Sequence, residues 1–163
     1  MIVVACTSPK DKSKAEIKGM EDSLFSNETK MVDRTKAREL IQLYTEFADN
    51  FPDDQEAPGM LFKAGDMAMN LNMANQAIDI FDRIMANYPD FDKAPQCLFL
   101  KAYVYENDLR DLDMAKKLYE EFLEKYPDDE FADDAQISIQ NLGKSPEELI
   151  REFEEKAKAQ GEI

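Results

Sequence analysis

Apolar residues return at steps of three and four through most of this chain, the spacing of one face of a helix. From Asp33 to Asn50 the face is Ala37, Leu40, Ile41, Tyr44, Phe47 and Ala48, and Pro52 stops the run. The next helix opens at Pro58, a residue favoured in a first turn because its missing N–H would be unpaired there anyway. It carries Leu61, Ala64, Gly65 and Ala68 toward a neighbour. A brief turn at 70–72 leads to a partner helix, Met73 to Asn87, with Ala77, Ile80, Phe81 and Ile84 inward.

The pattern then repeats. Pro95 stands in the place of Pro58, Leu98 of Leu61, Ala102 of Gly65 and Tyr105 of Ala68. Ala115, Tyr119 and Phe122 follow as Ala77, Phe81 and Ile84 do, with one extra residue in the turn near Arg110. The phrases Phe51-Pro52-Asp53, Tyr88-Pro89-Asp90 and Tyr126-Pro127-Asp128 mark the period, their prolines 37 and 38 residues apart. A further helix is expected from Phe131 to Gly143, a glycine suited to a left-handed C-terminal cap. Ser145-Pro146-Glu147-Glu148 then reads as a capping box opening a mostly charged helix to about Lys158, with Leu149, Ile150 and Phe153 apolar. Toward the start, residues 7–15 read as linker. A short helix from Lys14 to Phe25, with Ile17, Met20 and Leu24 on one face, is weakened by Gly19. The reading is all-α: six or seven helices in antiparallel pairs, each pair burying its face against the next, with a polar helix closing the end.

These matched positions resemble the tetratricopeptide repeat. In that family a small residue (here Gly65 and Ala102) lets the first helix of a unit approach the second. An alanine (Ala77, Ala115) does the same from the other side, an aromatic (Phe81, Tyr119) fills the space between, and a proline (Pro89, Pro127) ends the unit. The period exceeds the family's 34 residues. The excess follows the proline, where residues 128–134 resemble the form found in envelope lipoproteins. Those include the tetratricopeptide lipoprotein of the outer-membrane β-barrel assembly machinery and the periplasmic coordinator of the Tol–Pal system. The resemblance implies a tetratricopeptide-like array over 33–160, a surface for holding protein or peptide rather than a catalyst.

Charge narrows the partners. Among 163 residues, 35 are acidic and 20 basic, a formal net charge of −15. Nucleic acid is bound mainly through Lys and Arg, so it is an unlikely ligand. Anionic membrane surfaces would repel the chain for the same reason. Histidine is absent, which removes the commonest general base and metal ligand together. Two cysteines, Cys6 and Cys97, make neither a disulfide framework nor a zinc cluster.

The first residues, Met1-Ile2-Val3-Val4-Ala5-Cys6, resemble a bacterial lipoprotein signal, in which aliphatic and small residues precede an acylated cysteine. The resemblance implies lipidation at Cys6, residues 1–6 as a signal remnant, and 7–32 as a tethering linker with the short helix. The apolar stretch is shorter than the usual 7–15 residues and has no charged leader, so the true start is expected upstream. Membrane attachment is then expected only through the lipid, facing the periplasm from the outer membrane. The alternative is a cytosolic tetratricopeptide co-factor that docks a peptide.

Three groups of residues could carry chemistry. Asn107, Asp108, Asp111 and Asp113 supply oxygens, but lack the glycine and closing glutamate of a calcium loop. Met60, Met67, Met69 and Met73 recur in helical steps and read as core filling, and Cys97, with no basic neighbour, as a buried small hydrophobe. No catalytic, cofactor or metal site is expected. If the first helix of each pair lines a concave face, as in tetratricopeptide arrays, that face carries Phe62, Asp66 and Met69, then Phe99, Tyr103 and Glu106. Aromatics among acids suit an apolar peptide carrying Lys or Arg. The competing expectation is that Phe62 and Phe99 pack between repeats.

Overall fold

A computed structural model describes residues 8–26 and 33–160. Among these residues the chain is helical, with eight helices and no strand: α1 (Pro9–Phe25), α2 (Arg34–Asn50), α3 (Ala57–Asn70), α4 (Ala74–Asn87), α5 (Ala94–Asn107), α6 (Leu112–Lys125), α7 (Ala132–Asn141) and α8 (Pro146–Gln160). Each of α1 to α6 packs on the next in chain order. The core therefore runs along the array rather than gathering at one centre: one buried cluster extends from α1 to α5 and a second from α5 to α7.

The aromatic-proline phrase has a backbone reason. Phe51, Tyr88 and Tyr126 end α2, α4 and α6 at φ,ψ of −135°,57°, −135°,57° and −133°,58°. Each precedes a proline, whose ring disfavours the α conformation in the residue before it. A tight turn follows each time, and the chain re-enters a helix at Ala57, Ala94 or Ala132 through N–H bonds to the carbonyls of Asp54, Phe91 and Asp129. The turns inside the hairpins repeat as well: Asn72 and Arg110 both sit at φ 57°. Neighbouring repeats are tied together where the Tyr88 hydroxyl donates to the Pro52 carbonyl.

The second helix of each hairpin fills it with one ring. Tyr44, Phe81 and Tyr119 hold the same place in α2, α4 and α6, and all three are buried. Gly65 lies directly under Phe81: a Cβ there would stand 2.6 Å from Cε1 of the ring. Where a tyrosine replaces phenylalanine, its hydroxyl has a partner on the preceding helix, Glu21 for Tyr44 and Glu106 for Tyr119. Buried hydroxyls require such partners.

The C-terminal signals behave as their chemistry predicts. Gly143 sits at φ 77°. Ser145 and Glu148 form the reciprocal capping box, with Glu148 N–H donating to Ser145 Oγ and Ser145 N–H to the Glu148 carboxylate.

The N-terminal reading is corrected. The helix expected from Lys14 to Phe25 is present but starts earlier, at Pro9, within the stretch read as linker; it has 17 residues, is capped by the Ser8 side chain and holds Pro9 in its first turn. It packs along α2 and completes a first hairpin, so the array begins at Pro9 and not at residue 33. Gly19 faces open space and costs α1 only its helix propensity. Ile17 and Leu24 are buried, and Lys10, Lys14 and Glu21 anchor the helix to residues about 40 positions away in sequence. Cys6 lies outside the described residues.

Candidate peptide-binding clefts

The six residues expected on the concave face separate into three groups. Met69, Phe99 and Tyr103 converge. They border one cleft of about 360 Å³ between the C-terminal halves of α3 and α5, with Asn70, Asn72, Leu100 and Asp108. Tyr103 is 43% exposed, uncommon for a large aromatic ring, and it stands beside the half-buried Met69. The rim is polar and acidic: Asp108 borders the cleft, and the Asn70 and Asn107 amides bond back to the carbonyls of Asp66 and Tyr103.

Asp66 belongs to a different opening. It lines a groove of about 1180 Å³ among α1, α2 and α3, together with Lys63, Arg34, Leu24, Phe25 and Met67. Sequence reasoning missed this groove because it left α1 out of the array. The signal for it was the Ile17, Met20, Leu24 spacing.

For Phe62 and Phe99 the competing expectation, packing between repeats, fits the contacts. The Phe62 ring lies 6.5 Å from Phe81 and 6.3 Å from Phe91, with the Lys93 ammonium 4.7 Å from its centre. Phe99 stacks on Phe131 at 5.1 Å and meets Tyr119 and Phe122 at 5.5 and 5.8 Å. Phe62 holds α3 to α4 and to the turn that follows, and Phe99 holds α5 to α6 and to the turn that follows, although Phe99 also borders the cleft. Glu106 is likewise committed: its carboxylate accepts the Tyr119 hydroxyl at 2.8 Å. Burial, with this acidic neighbour, holds the Tyr119 pKa well above the phenolic range.

The residues weighed for chemistry have structural work. Asp111 caps α6 by accepting the Met114 N–H, and Asn107 bonds within α5. No group of three acidic or sulfur ligands gathers among the described residues. Met60, Met67, Met69 and Met73 pack in or against the larger core cluster. Cys97 is fully buried, and burial pushes its thiol up to about 12, so the reactive thiolate is scarce at neutral pH.

Residues 60–90 and 96–129 match the family model of the tetratricopeptide repeat. The two stretches correspond to α3–α4 and α5–α6, the hairpins that flank the cleft holding Met69 and Tyr103. No curated protein gives a significant match to the chain.

Proposed function

We infer, from a chain that carries tetratricopeptide repeats, that it works as a non-enzymatic scaffold which docks a peptide segment of a partner protein. The observation that carries this reading is the convergence of Met69, Phe99 and Tyr103 on one cleft between the two matched repeats. The exposed Tyr103 ring and the half-buried Met69 side chain offer apolar contact, while Asp108 and the net charge of −15 favour a segment bearing Lys or Arg.

Selection of peptides from a displayed random library tests the site. Peptides that bind the intact chain are expected to combine apolar residues with Lys or Arg. Tyr103→Ala should weaken them by about 1 kcal/mol or more, the usual cost of truncating an anchor. Helical signal and melting temperature should change little, because the Tyr103 ring is largely outside the core. Selected peptides that bind Tyr103→Ala as well as the parent would remove the cleft from the function.

We further propose that the protein acts as a lipid-anchored member of the bacterial envelope, in outer-membrane or cell-wall assembly. Two features of the sequence support this: Val3-Val4-Ala5 before Cys6, and the aromatic-proline repeats of envelope form. Mass spectrometry of the N-terminus, on protein from its own cell, should find Cys6 acylated and leading the chain. An unmodified Met1 would return the protein to the soluble, peptide-docking alternative.

A further inference from the structure

The first helix is held differently from the others. α3 buries Ala57, Met60, Leu61, Ala64, Gly65 and Ala68, whereas α1, three residues longer, buries only Ile17 and Leu24. Much of the rest of its grip is polar, and ion pairs lead it. Lys10 and Lys14 reach Asp54 at 2.9 and 3.5 Å, Lys14 reaches Glu56 at 2.6 Å, and Glu21 accepts from Lys63 at 2.8 Å. Asp54 is the enclosed partner, its side chain 9% exposed and its other oxygen contact the Glu56 N–H. Lys14 also stands 5.5 Å over the Phe47 ring. Within a chain of net charge −15, α1 carries Lys10, Lys12, Lys14 and Lys18 beside Asp11, Glu16, Glu21 and Asp22, with three of the lysines in its first half.

We propose that the face formed by α2, α3 and the turn between them is a helix-binding site, occupied in this structure by the chain's own α1 and open in trans to an amphipathic helix of a partner protein that carries lysines and apolar residues in the same pattern. The pattern is on α1 itself: two lysines four residues apart for Asp54 and Glu56, an apolar residue three positions on for the Ile17 slot, and another seven further for the Leu24 slot. The acidic turn selects the lysines, and the shallow apolar contact of α1 lets it exchange more readily than α3. The inference is independent of the cleft between α3 and α5, and neither result decides the other.

A labelled peptide of residues 8–26 is the probe, titrated into the full chain and into its Ile17→Asp variant, which loosens α1. The peptide should bind the variant saturably and the parent at least about tenfold more weakly, because a tethered competitor acts at a high effective concentration. A peptide with both Lys10 and Lys14 changed to Glu should lose roughly tenfold in affinity for the variant, the scale of two partly exposed ion pairs. A helical Ile17→Asp chain that takes up no peptide, or takes the charge-reversed peptide equally well, overturns the proposal. Should that variant not fold, the full chain carrying Lys10→Glu and Lys14→Glu replaces it, since the buried Ile17 and Leu24 are left in place. Its α1 amides should exchange at least about tenfold faster while α3 to α6 keep their protection. It should also bind the unmodified peptide. Unchanged exchange in α1, or no peptide binding, would again refute the site.

Discussion

Gly65 and Phe81 share a single space: the glycine has no Cβ, and the ring edge lies where one would be, 2.6 Å away. The contact sets the distance between α3 and α4. Phe81 is fully buried, so the ring cannot swing out to make room. Gly65→Leu is expected to destabilise the fold by about 1–3 kcal/mol, the cost of overpacking a close contact. Gly65→Ala should cost less, since the gain in helix propensity, about 1 kcal/mol, offsets part of the clash. Urea unfolding of the two variants, and of each combined with Phe81→Leu, measures the coupling. Unless Phe81→Leu relieves the cost in either background, the register of α3 on α4 is wrong.

Tyr44 and Tyr119 both lie buried with their hydroxyls on glutamates, and burial, aided by those carboxylates, raises both pKa values far above the ordinary 10.0. A raised folded value means stability that is complete below the unfolded pKa and is lost as pH rises beyond it. Of the six tyrosines, these two should ionise only as the chain unfolds. Ultraviolet titration of phenolate absorbance, read beside circular dichroism, should show that coincidence. Tyr44→Phe with Tyr119→Phe should flatten the alkaline loss.

Glu21 supplies the acid counterpart. Burial raises its pKa, but hydrogen bonds from Lys63 and Tyr44 more than offset this and hold it below 4.5. The charged form is then favoured by folding, so its contribution is present above the unfolded value and disappears as pH falls through the folded one. Across roughly pH 5 to 3, Glu21→Gln should lose less stability than the parent chain. Parallel acid-unfolding curves for the two would deny Glu21 that role.

Cys97 should not react with a thiol reagent such as Ellman's in the native state and should react fully in denaturant. Cys97→Ser, which buries a hydroxyl in place of a thiol, is expected to cost roughly 1–3 kcal/mol. Cys97→Ala should cost less. Fast labelling of the native thiol would contradict its burial.

Arg110 takes a left-handed conformation that costs a residue with a side chain about 1–2 kcal/mol. Gly carries no such penalty but loses more entropy on folding, so Arg110→Gly should stabilise the chain by up to about 1 kcal/mol. Thermal melts decide it. Asn72, at the same φ in the preceding repeat, is a residue type that tolerates this region, and the same change there should gain less.

How much of this protein was legible in its sequence depended on how far apart the interacting residues lie. The repeat was legible because it is written locally. A proline forces the residue before it out of the helix at Phe51, Tyr88 and Tyr126, and Ser145 meets Glu148 within one turn. Small residues and rings, as at Gly65 and Phe81, recur at fixed offsets inside one hairpin. Only the tertiary structure decided the rest. The helix Pro9–Phe25 is thinly apolar and interrupted by Gly19, and its place in the array depends on Asp54, Glu56 and Lys63, some 40 residues away. Helical periodicity put Phe62 and Phe99 one turn from Asp66 and Tyr103, but could not say which way the rings turn. Phe91 and Phe131, delivered by the turns after the prolines, draw them inward. Glu106 carries no mark in its own helix that distinguishes a groove charge from the partner of a buried hydroxyl. That role exists because α6 brings Tyr119 against it. Met69 and Tyr103, on separate helices 34 positions apart, share a cleft because α4 packs against both α3 and α5 and so brings the two helices to one opening.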